Sequence, residues 1–277
     1  MSSENISPTA HFTGYVWYKN NLGLKNLRTV RGAMFYHLAR PVDLLVRLFM
    51  NGLSLETYLL QRHLMIDHLL AEKIQKHEIN QIVEIAAGFS ARGYRFASEF
   101  KDIHYIETDL PHMVHMKRKF FEKLPKLKNH ELIPVDILKE TGETSLREAI
   151  LPKLKISKST ALITEGLISY FNHDMAMQII TRIAAFLKEF NHGAYFSEIH
   201  FTEDNQGGII DLFKIFIGKF VNSPIEIPFE NEIHLLEKIS TVNFTKTILH
   251  SPVAFQFIPD MPRINRKNVI HILECSI

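Results

Sequence analysis

The sequence has a single cysteine, Cys275, among 277 residues. An internal disulfide is therefore excluded, and so is a zinc site built from several thiolates. Charge of one sign is lacking too. The 32 basic and 30 acidic side chains leave a formal net charge of +2, which argues against nucleic acid as a partner. No run of roughly 18–20 uncharged apolar residues, the length of a membrane span, is present. Asp43, Arg47, Asp211, Lys214 and Lys219 interrupt the most apolar stretches. Met1-Ser2-Ser3-Glu4-Asn5 has no basic segment leading into an apolar run, so no leader is expected and a cytoplasmic location is the reading. Repeats and low-complexity tracts are absent. The 15 histidines do not imply a metal. His63 and His68, like His112 and His115, lack the acidic partner of a zinc-protease helix. What is present is ordinary for a soluble globular chain: 46% hydrophobic and 22% charged residues.

The order of elements is more informative. The first forty residues are aromatic-rich and carry the only tryptophan, Trp17. The spacing of Leu44, Leu45, Leu48 and Phe49 predicts a helical region from Pro41 to His77, with Pro41 in its first turn and a break near Gly52 and Ser54. Then β-type runs alternate with helices. Strands are expected at 81–85, 103–106, 131–135, 161–164 and 194–199, with helices at 91–100, 111–124 and 173–189. Runs at 245–249 and 269–273 complete the pattern as an antiparallel pair. Such alternation predicts an α/β fold, a parallel sheet covered on both faces. It divides the chain into an N-terminal helical extension (1–77), a core (78–201), a helical, lid-like insertion (202–243) and a closing β pair (244–277), all one domain. The strand content matches a Rossmann-like methyltransferase sheet.

In an open parallel sheet, ligands bind beyond the carboxyl ends of the strands. Four successive strands lead into Gly88, Asp109, Asp136 and Glu165. The turn Ala86-Ala87-Gly88-Phe89-Ser90 is built of small residues but is not the three-glycine dinucleotide fingerprint, so a ligand without phosphates fits better. Asp109 or Glu107 could accept from ribose hydroxyls, and Asp136 from an adenine amino group. An adenosine carrying a cationic sulfonium satisfies all of this, which points to S-adenosylmethionine.

Several segments resemble the leucine carboxyl methyltransferase family: Leu59-Leu60-Gln61-Arg62-His63, Val83 to Phe96, Glu107-Thr108-Asp109-Leu110-Pro111 and Glu165-Gly166-Leu167-Ile168-Ser169-Tyr170. The stretch His11 to Tyr18 is similar to the N-terminal segment of the tetracenomycin-type polyketide O-methyltransferases. The resemblance implies a Rossmann-like class I S-adenosylmethionine-dependent methyltransferase. It implies that Arg62 pairs with the cofactor's carboxylate, Ala86 and Gly88 line its turn, and Asp109 holds the ribose with Glu107 beside it. Asp136 and Ile137 would flank the adenine, and Glu165 would face the methionine amino group. Two positions depart from the family, which usually has Gly at Ala86 and Asp at Ser90. Ala86 is expected to keep a negative φ.

The protein's part in methyl transfer is placement and electrostatics. A hydroxyl acceptor benefits from a base, and Tyr170 and His200 are the candidates. The apolar run Gly208–Ile217 reads as core, as a lid over the acceptor or as a dimer face. Tyr15, Trp17 and Tyr18 could wall the acceptor pocket or form an N-terminal plug. The leading expectation is an O-methyltransferase acting on a hydroxyl or carboxylate of a small molecule, with a homo-oligomer left open. The alternatives are a methyltransferase for a protein C-terminal carboxylate and a cofactor-binding module without turnover.

Overall fold

The computed structural model describes residues 7–205, 226–265 and 269–277. Three helices precede the sheet: α1 (Ser7–Lys19), α2 (Val30–Phe49) and α3 (Leu55–Gln75). The sheet strands are β1 (Gln81–Ile85), β2 (His104–Asp109), β3 (His130–Pro134), β4 (Thr160–Thr164), β5 (Gly193–Ile199), β6 (Lys246–His250) and β7 (His271–Ser276). Between them lie α4 (Arg92–Glu99), α5 (Pro111–Phe121), α6 (Leu146–Ile150), α7 (His173–Leu187) and α8 (Glu232–Ser240).

The strand order is β3-β2-β1-β4-β5-β7-β6. The first five strands are parallel, and β7 runs antiparallel between β5 and β6. The order reverses at β1 and β4, and that switch point opens the crevice. Every residue of β1, β4 and β5 is buried, as expected of parallel strands covered by helices on both faces. One apolar cluster joins the sheet to α7 through Ile179, Ile180 and Ile183. Another joins the opposite face to α3 through Met65, Ile66 and Leu70.

The helical extension differs from the sequence expectation. Pro41 lies inside α2, not at its start. The start is set by Thr29, whose side chain accepts the Gly32 amide at 3.0 Å. Both Pro41 and His37 are exposed, so water can reach the carbonyl that the proline leaves without its helical donor. The break at Gly52 and Ser54 is present: Gly52 has φ 97°, and Ser54 caps α3 by accepting the Thr57 amide at 3.1 Å. The last strand begins two residues later than expected and runs three further. As an inner strand its middle four residues are all buried, so no alternation marks its ends. The run Gly208–Ile217, and with it nearly half of the expected insertion, lies outside the described residues.

Candidate active site

The site grows from the turn between β1 and α4. Ala86 has φ 56° and Gly88 φ 49°. Ala86 thus takes the left-handed conformation, against the expected negative φ. Hydrogen bonds to the neighbouring strand impose it. The Ala87 amide donates to the Thr108 carbonyl at 2.9 Å, and the Gly88 amide donates to Asp109 Oδ2 at 2.7 Å. Ala91, not Ser90, occupies the cap position of α4, yet Ser90 Oγ still accepts the Arg92 amide at 3.1 Å.

Asp109 closes β2 and is clamped twice, its Oδ1 accepting the Leu110 amide at 2.7 Å. Burial pushes its carboxyl above the ordinary range, and the two amides oppose that shift. Each oxygen keeps a further lone pair for a ligand hydroxyl.

Across the crevice, Arg62 reaches in from α3. Its Nε donates to Glu165 Oε1 at 3.0 Å, and its guanidinium lies over the Tyr58 ring, 5.4 Å from the centroid. Glu165 follows β4. Its Oε2 accepts from Arg92 Nη2 at 2.5 Å and lies 2.9 Å from His63 Nδ1. Burial alone would raise its carboxyl, but His63, Arg92 and Arg62 hold it well below the ordinary range, so it stays ionised. Arg92 is fully buried and also pairs with Glu84 at 2.7 Å and Asp67 at 2.5 Å. This bridge between α3, α4, β1 and β4 was not singled out from the sequence. Its signal was the arginine shortly after the small-residue turn.

One cavity gathers Arg62, Ala86, Gly88, Asp109, Glu165 and Tyr170. The Tyr170 hydroxyl donates to Thr9 Oγ1 at 3.4 Å. Burial raises its pKa, so it stays protonated and suits hydrogen-bond donation better than proton removal. The other four expected residues do not line this cavity. Glu107 sits one pleat back from the strand end, in an ion pair with Lys117 and 3.1 Å from His130 Nε2. Burial opposes it, but these partners draw its carboxyl down to about 2. Asp136 turns into its own loop, accepting the Leu138 amide at 3.1 Å, and Ile137 packs into the core. His200 Nδ1 donates to the Val269 carbonyl at 2.9 Å, which leaves Nε2 to accept the Tyr58 hydroxyl at 2.5 Å.

Thr9, Ala10, Thr13 and Trp17 also line the cavity. They share one face of α1, since residues three and four apart are neighbours on a helix. Tyr15 turns the other way and packs on Tyr36, ring centroids 5.2 Å apart. The aromatic segment is thus divided, Trp17 on the cavity and Tyr15 in the contact with α2. Beside the cavity, Glu198 is the penultimate residue of β5, with Oε1 accepting the Gly166 amide at 2.8 Å. Its Oε2 is buried and has no hydrogen-bond partner among the described residues. Burial pushes this carboxyl up to about 7, against the pull of Arg62. Among the described residues, no group of three potential metal ligands occurs and no helix is long and apolar enough to cross a membrane.

Residues 49–184 match the family model described as leucine carboxyl methyltransferase. No curated protein sequence matches the chain. Among solved structures, a DUF574 family protein of Streptomyces avermitilis MA-4680 is similar with TM-score 0.67 and 11% identity, over 96% of each chain. A candidate methyltransferase of Thermobifida fusca YX is similar with TM-score 0.64 and 11% identity, over 96% of this chain and 93% of that one. Magnesium protoporphyrin IX methyltransferase of Synechocystis PCC 6803, solved with bound SAH, is similar with TM-score 0.50 and 12% identity, over 87% of this chain and 96% of that one. Such identities speak for the fold, and the family match speaks for the sequence. Residues 49–184 are thus similar to the leucine carboxyl methyltransferase family, and the whole chain shares its Rossmann-like fold with solved methyltransferase structures.

Proposed function

We propose that this chain is an S-adenosylmethionine-dependent O-methyltransferase acting on a hydroxyl or carboxylate of a small molecule. One observation carries the reading. A doubly clamped Asp109 and an Arg62–Glu165 pair line the same cavity around a small-residue turn. These groups fit the cofactor. The free lone pairs of Asp109 suit two ribose hydroxyls, Arg62 suits a carboxylate, and Glu165 suits an ammonium group. The cofactor would supply a methyl group on a sulfonium, and the protein would place it. The arginine network around Glu165 keeps that carboxylate ionised and oriented. Tyr170 offers a hydroxyl to the acceptor, and helix α1 screens the cavity from water.

The family match favours a second reading, in which the acceptor is the C-terminal carboxylate of a protein and needs no base. The cavity roofed by α1 supports a small acceptor over a protein tail.

Asp109→Asn tests the cofactor site. A single carbonyl oxygen cannot accept both the Gly88 and Leu110 amides and two hydroxyls as well. Calorimetry should show at least tenfold weaker S-adenosylmethionine binding, about 1.4 kcal/mol or more. Unchanged affinity would refute the ribose assignment. A turnover panel of phenols, alcohols and carboxylates then separates the acceptor classes.

A further inference from the structure

Trp17 is 5% exposed and lines the cavity. Its indole Nε1 is buried and has no hydrogen-bond partner among the described residues. Buried polar groups are rarely left unpaired, and an indole N–H is a donor only, so this N–H in the cavity wall is left without an acceptor. The position of the ring says what kind. It lies against His63, ring centroids 4.7 Å apart, and His63 Nδ1 is 2.9 Å from Glu165 Oε2. Trp17 therefore stands at the Arg62–Glu165 end of the cavity. Ala10 marks the other end of α1, since a Cβ added to Gly88 would come within 3.3 Å of the Ala10 Cβ. Two helical turns separate the ends, with Thr13 between them, so α1 lies lengthwise over the ligand space. The adenosine belongs beside Gly88 and Asp109, and the amino-acid end of the cofactor reaches Trp17.

We infer that the Trp17 indole N–H donates a hydrogen bond to the carboxylate of the cofactor's amino-acid end, making α1 part of the binding site and not merely its cover. The inference rests on the cofactor reading above. Arg62 supplies the charge for that carboxylate, and Trp17 supplies a directed donor from the opposite wall. An ammonium group could not take this place, because it offers only donors.

The test compares S-adenosylhomocysteine with 5′-methylthioadenosine, which lacks the amino-acid carboxylate. Trp17→Phe keeps a ring against His63 and removes only the donor. By calorimetry, the variant should bind S-adenosylhomocysteine about tenfold more weakly, as loss of a hydrogen bond to a charged group implies. Its affinity for 5′-methylthioadenosine should be unchanged. Equal affinity of variant and wild type for S-adenosylhomocysteine overturns the inference, as does a parallel loss for both ligands. Wild type that binds neither ligand overturns the cofactor reading itself. A measurement on the unaltered chain covers the case of a misfolded variant. Trp17 is the sole tryptophan, so tryptophan fluorescence reports on this site alone. S-adenosylhomocysteine should shift the emission in a way that 5′-methylthioadenosine does not reproduce, and identical responses to both count against the contact.

Discussion

Ala86 carries its backbone in a conformation that suits glycine, φ 56°. A Cβ in the left-handed region costs roughly 1–2 kcal/mol. The strain persists because the Ala87 and Gly88 amides are tied to β2 on the far side of the turn. Ala86→Gly should therefore stabilise the protein, by about 1 kcal/mol after the greater unfolded-state entropy of glycine is counted. The urea midpoint should rise with no change in slope. A lower midpoint would mean that the methyl group contributes packing that outweighs its strain. The resemblance located this position from the motif alone. The sign of φ was not legible there, because it depends on a hydrogen bond to a strand more than twenty residues away. The same limit applied to Trp17. Its lone N–H is visible only once α1 is laid over the crevice.

At the scale of elements, the five parallel strands were readable because each is a short, largely apolar run, the first four leading into a small or acidic residue. Their order then placed Gly88, Asp109 and Glu165 on one edge without further information. The same rule grouped Glu107 and Asp136 with them, and neither lines the cavity. Glu107 lies too far from the end of β2 and meets Lys117, and Asp136 binds its own loop. In α2, a proline was read as a boundary although Thr29 had already started the helix. The end of β5 carries a testable consequence. Glu198 has its carboxyl raised from the ordinary 4.5 to about 7 by burial. A raised acid binds its proton more tightly when folded, so stability falls as pH rises through that window. Glu198→Gln removes the titration. The stability of the variant relative to wild type should rise by about 3 kcal/mol between pH 4 and pH 8. Denaturant titrations at several pH values would show it, and parallel pH profiles would place the Glu198 pKa near its ordinary value.

On the scale of the whole molecule, the last strand is an inner one. Residues 271–276 pair with β5 on one side and β6 on the other, so β7 lies inside the sheet and β6 forms its edge. Cys275 sits in that strand, opposite Tyr195 and Thr247, and is fully buried. Burial pushes its thiol up to about 12, far from the thiolate form that reacts. The chain thus carries one silent nucleophile, placed where only separation of the sheet can reveal it. Its labelling by a thiol reagent should be slow in native buffer and should rise with urea in step with the loss of far-ultraviolet circular dichroism. Labelling well ahead of that loss would identify β6 as a strand that peels away on its own. The rate at which one sulfur is captured becomes a clock for how often the whole sheet opens.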